Sequence, residues 1–206
     1  VLVESGIGKV QMGMTTAIML EKFAPDVVIN TGSAGGIGQG LQVGDVVLST
    51  AVAYHDADAT AFGYAMGQLP QQPQTFIADA KLVADIAKAA QSVGLTTKTG
   101  LIVSGDQFIA SDDAKKRILS IYPQALAAEM EGAAIGQVAT QFNTPFVVIR
   151  AMSDTADGNA GQSFDDFIID AGKRSAAMLL AYIHQLKEAC SCNIFILIMP
   201  RPRRWP

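Results

Sequence analysis

The sequence predicts an α/β fold, a parallel or mixed sheet with helices on both faces. Three observations lead there. Strand-like and helix-like segments alternate along the chain. Phe146–Met152 is an apolar run that reads as a strand buried on both faces. Two acidic spots, Glu129-Met130-Glu131 and Ser153-Asp154, sit where strands run out. In open α/β sheets, ligands bind at that end, so acids placed there tend to face a substrate, although a strand-end carboxylate can also cap a helix or face water.

Val1–Glu4 reads as the end of a strand, and Ser5-Gly6-Ile7-Gly8 turns into a helix from about Val10 to Phe23, closed by Pro25. Val27–Ile29 is a strand, followed by the glycine-rich Thr31-Gly-Ser-Ala-Gly-Gly36. Asp45–Tyr54 alternates and then turns apolar, as a long strand does. His55–Pro73 is a long loop with Phe62, Tyr64 and Pro70, of a length that is usually functional or ordered by a partner. Asp79–Val93 has helical apolar spacing and Thr99–Val103 is a strand. Ser111 caps a helix that carries Asp112 and Asp113 first and Lys115, Lys116 and Arg117 later, the order its dipole favours. Ala125–Ala128 is a shorter strand, and Glu131 opens a helix to Phe142. Ser163-Phe-Asp-Asp166 resembles a capping box and starts a last helix reaching roughly Glu188.

The 206 residues make one domain, or one domain less a piece, long enough to bury a sizeable core. Half are hydrophobic and 17% are charged, an ordinary globular balance leaning apolar. A net charge of −4 and a pI near 5.1 argue against nucleic acid or an anionic membrane as partner. The first residues do not read as a signal peptide, and no apolar run is long enough to span a bilayer. Cys190 and Cys192 supply too few ligands for a structural zinc site and too close a pair for a disulfide framework, which fits a reducing cytoplasm. His55 and His184 are too far apart for a metal cluster; His55 reads as a base or as a hydrogen-bonded structural residue. Neither a metal nor a cofactor is expected. Residues 1–189 form the domain, and 190–206, an apolar burst and then a Pro/Arg cluster, continue neither its helix period nor its sheet pattern. That tail reads as a docking or membrane-contacting segment or as a poorly packed extension.

Ser5-Gly-Ile-Gly-Lys9 lacks the spacing and the following Ser/Thr of a nucleotide-triphosphate loop. Gly32–Gly38 echoes a dinucleotide fingerprint, but a strand follows where that motif needs a helix. What remains is a glycine-lined pocket floor beyond Val27–Ile29, where Ser33 offers a hydroxyl. The first arginine is Arg117, so the preceding 116 residues present no guanidinium fork to a phosphate. Arg150, inside an apolar strand, is expected to pair with a buried acid.

With these residues in view, the chain resembles the bacterial 5′-methylthioadenosine/S-adenosylhomocysteine nucleosidases of the purine nucleoside phosphorylase/uridine phosphorylase superfamily. Ser5-Gly-Ile-Gly-Lys-Val10, Asn30-Thr-Gly-Ser-Ala-Gly-Gly36, Tyr54-His-Asp-Ala-Asp58, Thr60-Ala-Phe-Gly-Tyr64, Gly67-Gln-Leu-Pro70, Gly100-Leu-Ile-Val-Ser-Gly-Asp106, Glu129-Met-Glu131 and Arg150-Ala-Met-Ser-Asp154 carry the resemblance, in order, to about Lys187. It implies a three-layer α/β/α sandwich with a mixed central sheet, and hydrolysis of an N-glycosidic bond to release adenine and a 5-thioribose sugar, serving methionine salvage. It implies Asp154 as the general acid at purine N7, with Ser153 positioning it. Leaving adenine needs a proton, so such an acid must stay protonated near neutral pH. It places Glu131 on the ribose hydroxyls, Met130 against the sugar, Ser33 near the ribose and the attacking water, and Gly35 in the substrate pocket. Phe108 then stacks on the base, the Ile109 backbone reads its edge, and Phe164 closes the pocket. Phe62, Tyr64 and Pro70 reach into a neighbouring subunit's pocket, which implies a homodimer.

The departures are specific. The family has strands before the position of Val1, so by this resemblance the domain is truncated at its N-terminus and exposes a pairing edge. The first of those strands carries a water-activating glutamate that nothing here matches. The relatives that use phosphate place an arginine where Asn30 stands. Three readings follow: a nucleosidase, a non-catalytic adenosine-thioether binding protein, and a phosphorylase, the last opposed by the arginine pattern.

Overall fold

A computed structural model describes residues 1–154, 160–187 and 194–198, with the backbone alone for 160–171, 187 and 195. The strands are β1 (Leu2–Glu4), β2 (Val27–Gly36), β3 (Val46–Tyr54), β4 (Phe76–Ile77), β5 (Thr97–Ser104), β6 (Ala125–Glu129), β7 (Phe146–Asp154) and β8 (Ile194–Ile198). The helices are α1 (Lys9–Phe23), α2 (Ala80–Ser92), α3 (Asp112–Ile121), α4 (Gly132–Gln141) and α5 (Ala160–Lys187).

The sheet is mixed and closes on itself. β2 pairs parallel with β7, β7 antiparallel with β3, β3 parallel with β5, β5 parallel with β6, and β6 antiparallel with β2. All nine residues of β7 are buried, as its composition predicts for a strand covered on both faces. Each of its Val and Ile side chains contributes roughly 1.5–3 kcal/mol by leaving water. Helices flank the sheet in two pairs, α1 against α4 and α2 against α5. A smaller apolar cluster under α3 joins Ile118 to Ile37, Leu101, Val103 and Ala128.

Local chemistry sets the helix starts. Asp79 accepts the Leu82 amide at 2.7 Å and Ser111 accepts the Ala114 amide at 3.3 Å, each cap worth ~1 kcal/mol. The spacing of α1, α2 and α3 is as predicted to within a few residues.

Three segments differ from expectation. The glycine-rich stretch is strand, not loop: β2 runs to Gly36 because its ladder with β7 continues from Val28 to Gly35. Small residues suit that crowding, since a Cβ on Gly36 would stand 3.4 Å from the Asp154 carbonyl. α5 begins at Ala160, ahead of the expected Ser163, and the side chains of that capping box lie outside the described residues. Finally, Ile194–Ile198 does join the sheet pattern, as β8 between β1 and β2. Its run of β-branched and apolar residues is strand-forming in itself; residues 190–193 and 199–206, Cys190 and Cys192 among them, lie outside the described residues.

Candidate active site

Strand register gathers the two acidic spots. On β2, Gly35 pairs with Asp154 of β7 on one side and with Ala128 of β6 on the other. Glu129, Met130 and Glu131 therefore leave β6 beside the stretch of β2 that carries Ser33 and Gly35. Ser33 itself pairs with Ala151. Ser33, Gly35 and Met130 are half-buried, and Ser153 and Asp154 are buried. The Ser153 hydroxyl donates to Asp154 Oδ2 at 2.8 Å and lies 3.3 Å from the Ala34 carbonyl oxygen.

Behind them lies a buried charge network. Arg150 is fully buried, as expected of an arginine inside an apolar strand, and its acid is Glu129. Its Nε donates to Glu129 Oε2 at 3.1 Å and its Nη2 donates to the same oxygen. Glu129 also accepts the Gly132 amide at 2.9 Å, the Glu131 amide at 3.2 Å and the Ser104 hydroxyl. Ser104 in turn accepts the Ala133 amide at 2.7 Å. Glu129 and Ser104 thus satisfy the first amides of α4, which has no side-chain cap from its N-cap residue Glu131.

That leaves the Glu131 carboxylate for other work. It is 1% exposed, accepts the Gly8 amide at 2.8 Å, and stands 3.9 Å from Arg150 Nη2. Burial, and then the charge of Glu129, push its pKa up to about 7 against the pull of Arg150 and the Gly8 amide. Gly8 has φ 92°, a left-handed backbone that suits glycine.

The loop that resembles a phosphate loop spends its donors on carboxylates. The Lys9 amide donates to Asp106 Oδ1 at 2.9 Å, and Lys9 Nζ donates to Asp56 Oδ2 at 2.7 Å. Asp56 also accepts the Asp106 amide at 2.9 Å. Burial raises the Asp56 pKa, but Lys9 and that amide outweigh it and hold the carboxyl below its ordinary range. His55 is buried, and among the described residues neither ring nitrogen has a hydrogen-bond partner, unlike the expected hydrogen-bonded structural role. Burial lowers its pKa against the pull of Asp56.

The remaining candidates are dispersed. Ile109 is buried in the cluster under α3, whereas Phe108 beside it is 61% exposed. Phe62 is 82% exposed, Tyr64 half-buried and Pro70 exposed, all on the loop after β3. Phe164 falls on α5, its side chain outside the described residues. Sequence reasoning missed Gly8, Ser104 and the Lys9–Asp56–Asp106 cluster; only the paired glycines around Ile7 hinted at an amide-lined turn. Among the described residues, no three His, Cys, Asp or Glu side chains are placed to hold a metal, and no helix is long and apolar enough to cross a membrane.

A phosphorylase superfamily model matches residues 1–184. A 5′-methylthioadenosine/S-adenosylhomocysteine nucleosidase of Actinobacillus succinogenes is 54% identical over 187 residues, covering 91% of this chain and 81% of the relative. The chain belongs to this nucleosidase family of the phosphorylase superfamily. Solved nucleosidases of the family superpose on it. The Neisseria meningitidis enzyme, in complex with methylthio-immucillin-A, is 49% identical with a TM-score of 0.85, over 88% of this chain and 79% of that one. The Streptococcus pyogenes S-adenosylhomocysteine nucleosidase, in complex with 5-methylthiotubericidin, is 47% identical with a TM-score of 0.84, over 88% and 77%. The family accounts for the mixed sheet with its flanking helices.

Proposed function

We propose that this chain hydrolyses the N-glycosidic bond of 5′-methylthioadenosine and S-adenosylhomocysteine, releasing adenine and the 5-thioribose product. The observation that carries the reading is the pair of buried acids flanking β2: Asp154 with its Ser153 hydroxyl on one side, Glu131 with its Gly8 amide on the other. Asp154 protonates N7 as the bond breaks, so adenine leaves neutral while positive charge develops on the sugar. Ser153 holds the carboxyl in place. Glu131 accepts hydrogen bonds from the ribose hydroxyls, and Met130 packs on the sugar. Ser33 and Gly35 line the floor beside the ribose, Phe108 stacks on the base, the Ile109 backbone reads its edge, and Phe164 closes the pocket. The exposure of Phe108, an aromatic residue left largely uncovered, supports a face that a planar base covers.

We place the enzyme in the cytoplasm, as a homodimer in methionine salvage. Val10 and Met14 project from α1, 81% and 49% exposed, beside a groove of about 320 Å³ where Val10, Leu69, Ala134 and Val138 sit with the polar Lys9, Gln137 and Gln141. Apolar side chains around such a groove support a partner subunit there, with Phe62, Tyr64 and Pro70 delivered across the interface.

The test is adenine release from 5′-methylthioadenosine by the 206-residue chain, with and without phosphate. Phosphate-independent release is expected. Strict phosphate dependence would make the chain a phosphorylase. Thermal stabilisation by the nucleoside without release would make it a binding protein.

A further inference from the structure

Lys9 opens α1 directly after Gly8, the residue whose amide holds Glu131. Its backbone amide donates to Asp106 Oδ1 at 2.9 Å. Its Nζ donates to Asp56 Oδ2 at 2.7 Å and lies 3.6 Å from Asp106 Oδ2. The Asp106 amide donates to the same Asp56 oxygen at 2.9 Å, which closes the three residues into a ring. The ammonium also stands 5.4 Å from the centre of the Tyr54 ring, at the end of β3. The Lys9 and Asp56 side chains are only 25% and 14% exposed, so water screens this pair less than it screens an open surface pair. Each member of the ring opens a different segment. Asp56 begins the loop of Phe62, Tyr64 and Pro70, and Asp106 begins the segment of Phe108 and Ile109. Glycines let these segments approach: a Cβ on Gly8 would stand 3.1 Å from Asp106 Oδ1, and one on Gly105 3.0 Å from Asp56 Cγ.

We propose that Lys9 is a positioning residue that clamps the base-binding segment Asp106–Ile109 to the Gly8–Glu131 pair, a role that rests on the proposed nucleosidase activity. Lys9 touches no reacting atom. Its ammonium neutralises Asp56 and Asp106 and holds them at one spacing, so that Phe108 meets the base where Glu131 meets the ribose. Without it, two carboxylates face each other with the cation between them gone, and repulsion drives the segments apart. Asp56 has little else to fall back on, since its Oδ1 is buried without a hydrogen-bond partner among the described residues. Asp154 and Ser153 sit on β7, outside the ring, so the bond-breaking step on bound substrate should be spared. The clamp therefore acts on binding more than on chemistry.

Steady-state adenine release from 5′-methylthioadenosine and amide hydrogen exchange, read on the same proteins, test it. Lys9→Met keeps the stem and removes the charge. It should raise KM about tenfold or more while kcat stays within about threefold. Exchange at Asp106–Ile109 should quicken by about tenfold or more, with β7 still protected. Lys98→Met is the control: it breaks a 2.8 Å ion pair with Asp45 at the other end of β5 and should change neither KM nor that exchange. Adding Asp56→Asn to Lys9→Met should raise KM no further, because the two residues act as a unit. Unchanged KM in Lys9→Met overturns the proposal, as does a loss confined to kcat, an equal rise in Lys98→Met, or an additive rise in the double variant. If the intact chain neither binds nor cleaves the nucleoside, the proposed function fails. The exchange comparison then still decides the clamp: unchanged exchange at Asp106–Ile109 overturns it, and faster exchange in Lys9→Met alone upholds it. Should Lys9→Met not fold, Asp56→Asn removes the same ion pair and is read for the same two quantities.

Discussion

Gly8 donates its backbone amide to Glu131 Oε1 at 2.8 Å, joining the turn after β1 to the residue that opens α4, 123 positions away. A left-handed glycine is thus spent on holding a buried acid, and the acid's second oxygen stands 3.9 Å from Arg150 Nη2.

Replacing Glu131 with Gln should weaken nucleoside binding about ten- to a hundredfold, the cost of a charge-assisted hydrogen bond made by a neutral acceptor. Calorimetric titration with 5′-methylthioadenosine measures this, and unchanged affinity removes Glu131 from the ribose site.

The same substitution should alter the pH dependence of stability. The folded-state pKa of Glu131, about 7, lies above its ordinary 4.5, so the folded protein holds this proton more tightly than the unfolded chain. Its contribution is full below about pH 4.5 and is lost as the pH rises through 7. At pH 8 the Gln variant should therefore be the more stable, by at most about 3 kcal/mol, with the advantage vanishing near pH 4. Urea unfolding at both pH values checks the sign; an advantage that grows in acid contradicts it.

Arg150→Ala leaves Glu129 buried without its guanidinium partner, although three amide and hydroxyl donors remain. Breaking a buried pair by removing one member costs about 3–5 kcal/mol, and the remaining donors hold this case to the lower end. Denaturant unfolding should show it. The variant should also raise the Glu131 pKa further, since Arg150 is one of the groups that hold it down.

Much of this was legible in the sequence, for physical reasons. Hydrophobic period marks α2 because it buries one face, an unbroken apolar run marks β7 because it is buried on both, and an arginine inside β7 has to find an acid. The glycine-rich stretch misled because Gly and Ser favour loops locally, whereas here the crowding of β2 between β7 and β6 decides. The run Ile194–Ile198 is strand-forming in itself, but its place in the sheet was illegible because its partners lie more than 160 residues away. The division of labour between Glu129 and Glu131 was equally hidden: both are acids at one strand end, and only the fold assigns one to the first amides of α4 and the other to the Gly8 amide.

Asp154→Asn removes the carboxyl proposed as proton donor while keeping shape and a hydrogen bond from Ser153. Adenine release should fall about 10²–10⁴-fold, with nucleoside affinity largely retained. Single-turnover kinetics beside equilibrium binding separate the two, and full turnover in the Asn variant ends the general-acid assignment.

Gly67 anchors the loop that carries Phe62, Tyr64 and Pro70. It has φ 81°, donates its amide to the Ala57 carbonyl at 2.8 Å, and sits against Tyr122, whose hydroxyl donates to the Tyr54 carbonyl at 3.1 Å. A Cβ there would stand 2.1 Å from the Tyr122 hydroxyl and 2.3 Å from the Tyr54 carbonyl oxygen. Gly63, with φ 83°, has open space where its Cβ would be. Gly63→Ala should therefore cost only the backbone strain of about 1–2 kcal/mol. Gly67→Ala adds a clash of about 1–3 kcal/mol and should also push the loop out, raising protease cleavage between residues 57 and 72. Thermal unfolding and limited proteolysis of both variants make the comparison. Equal costs would mean that the loop yields freely at Gly67, and that its aromatic residues are not held by Tyr122 and Tyr54.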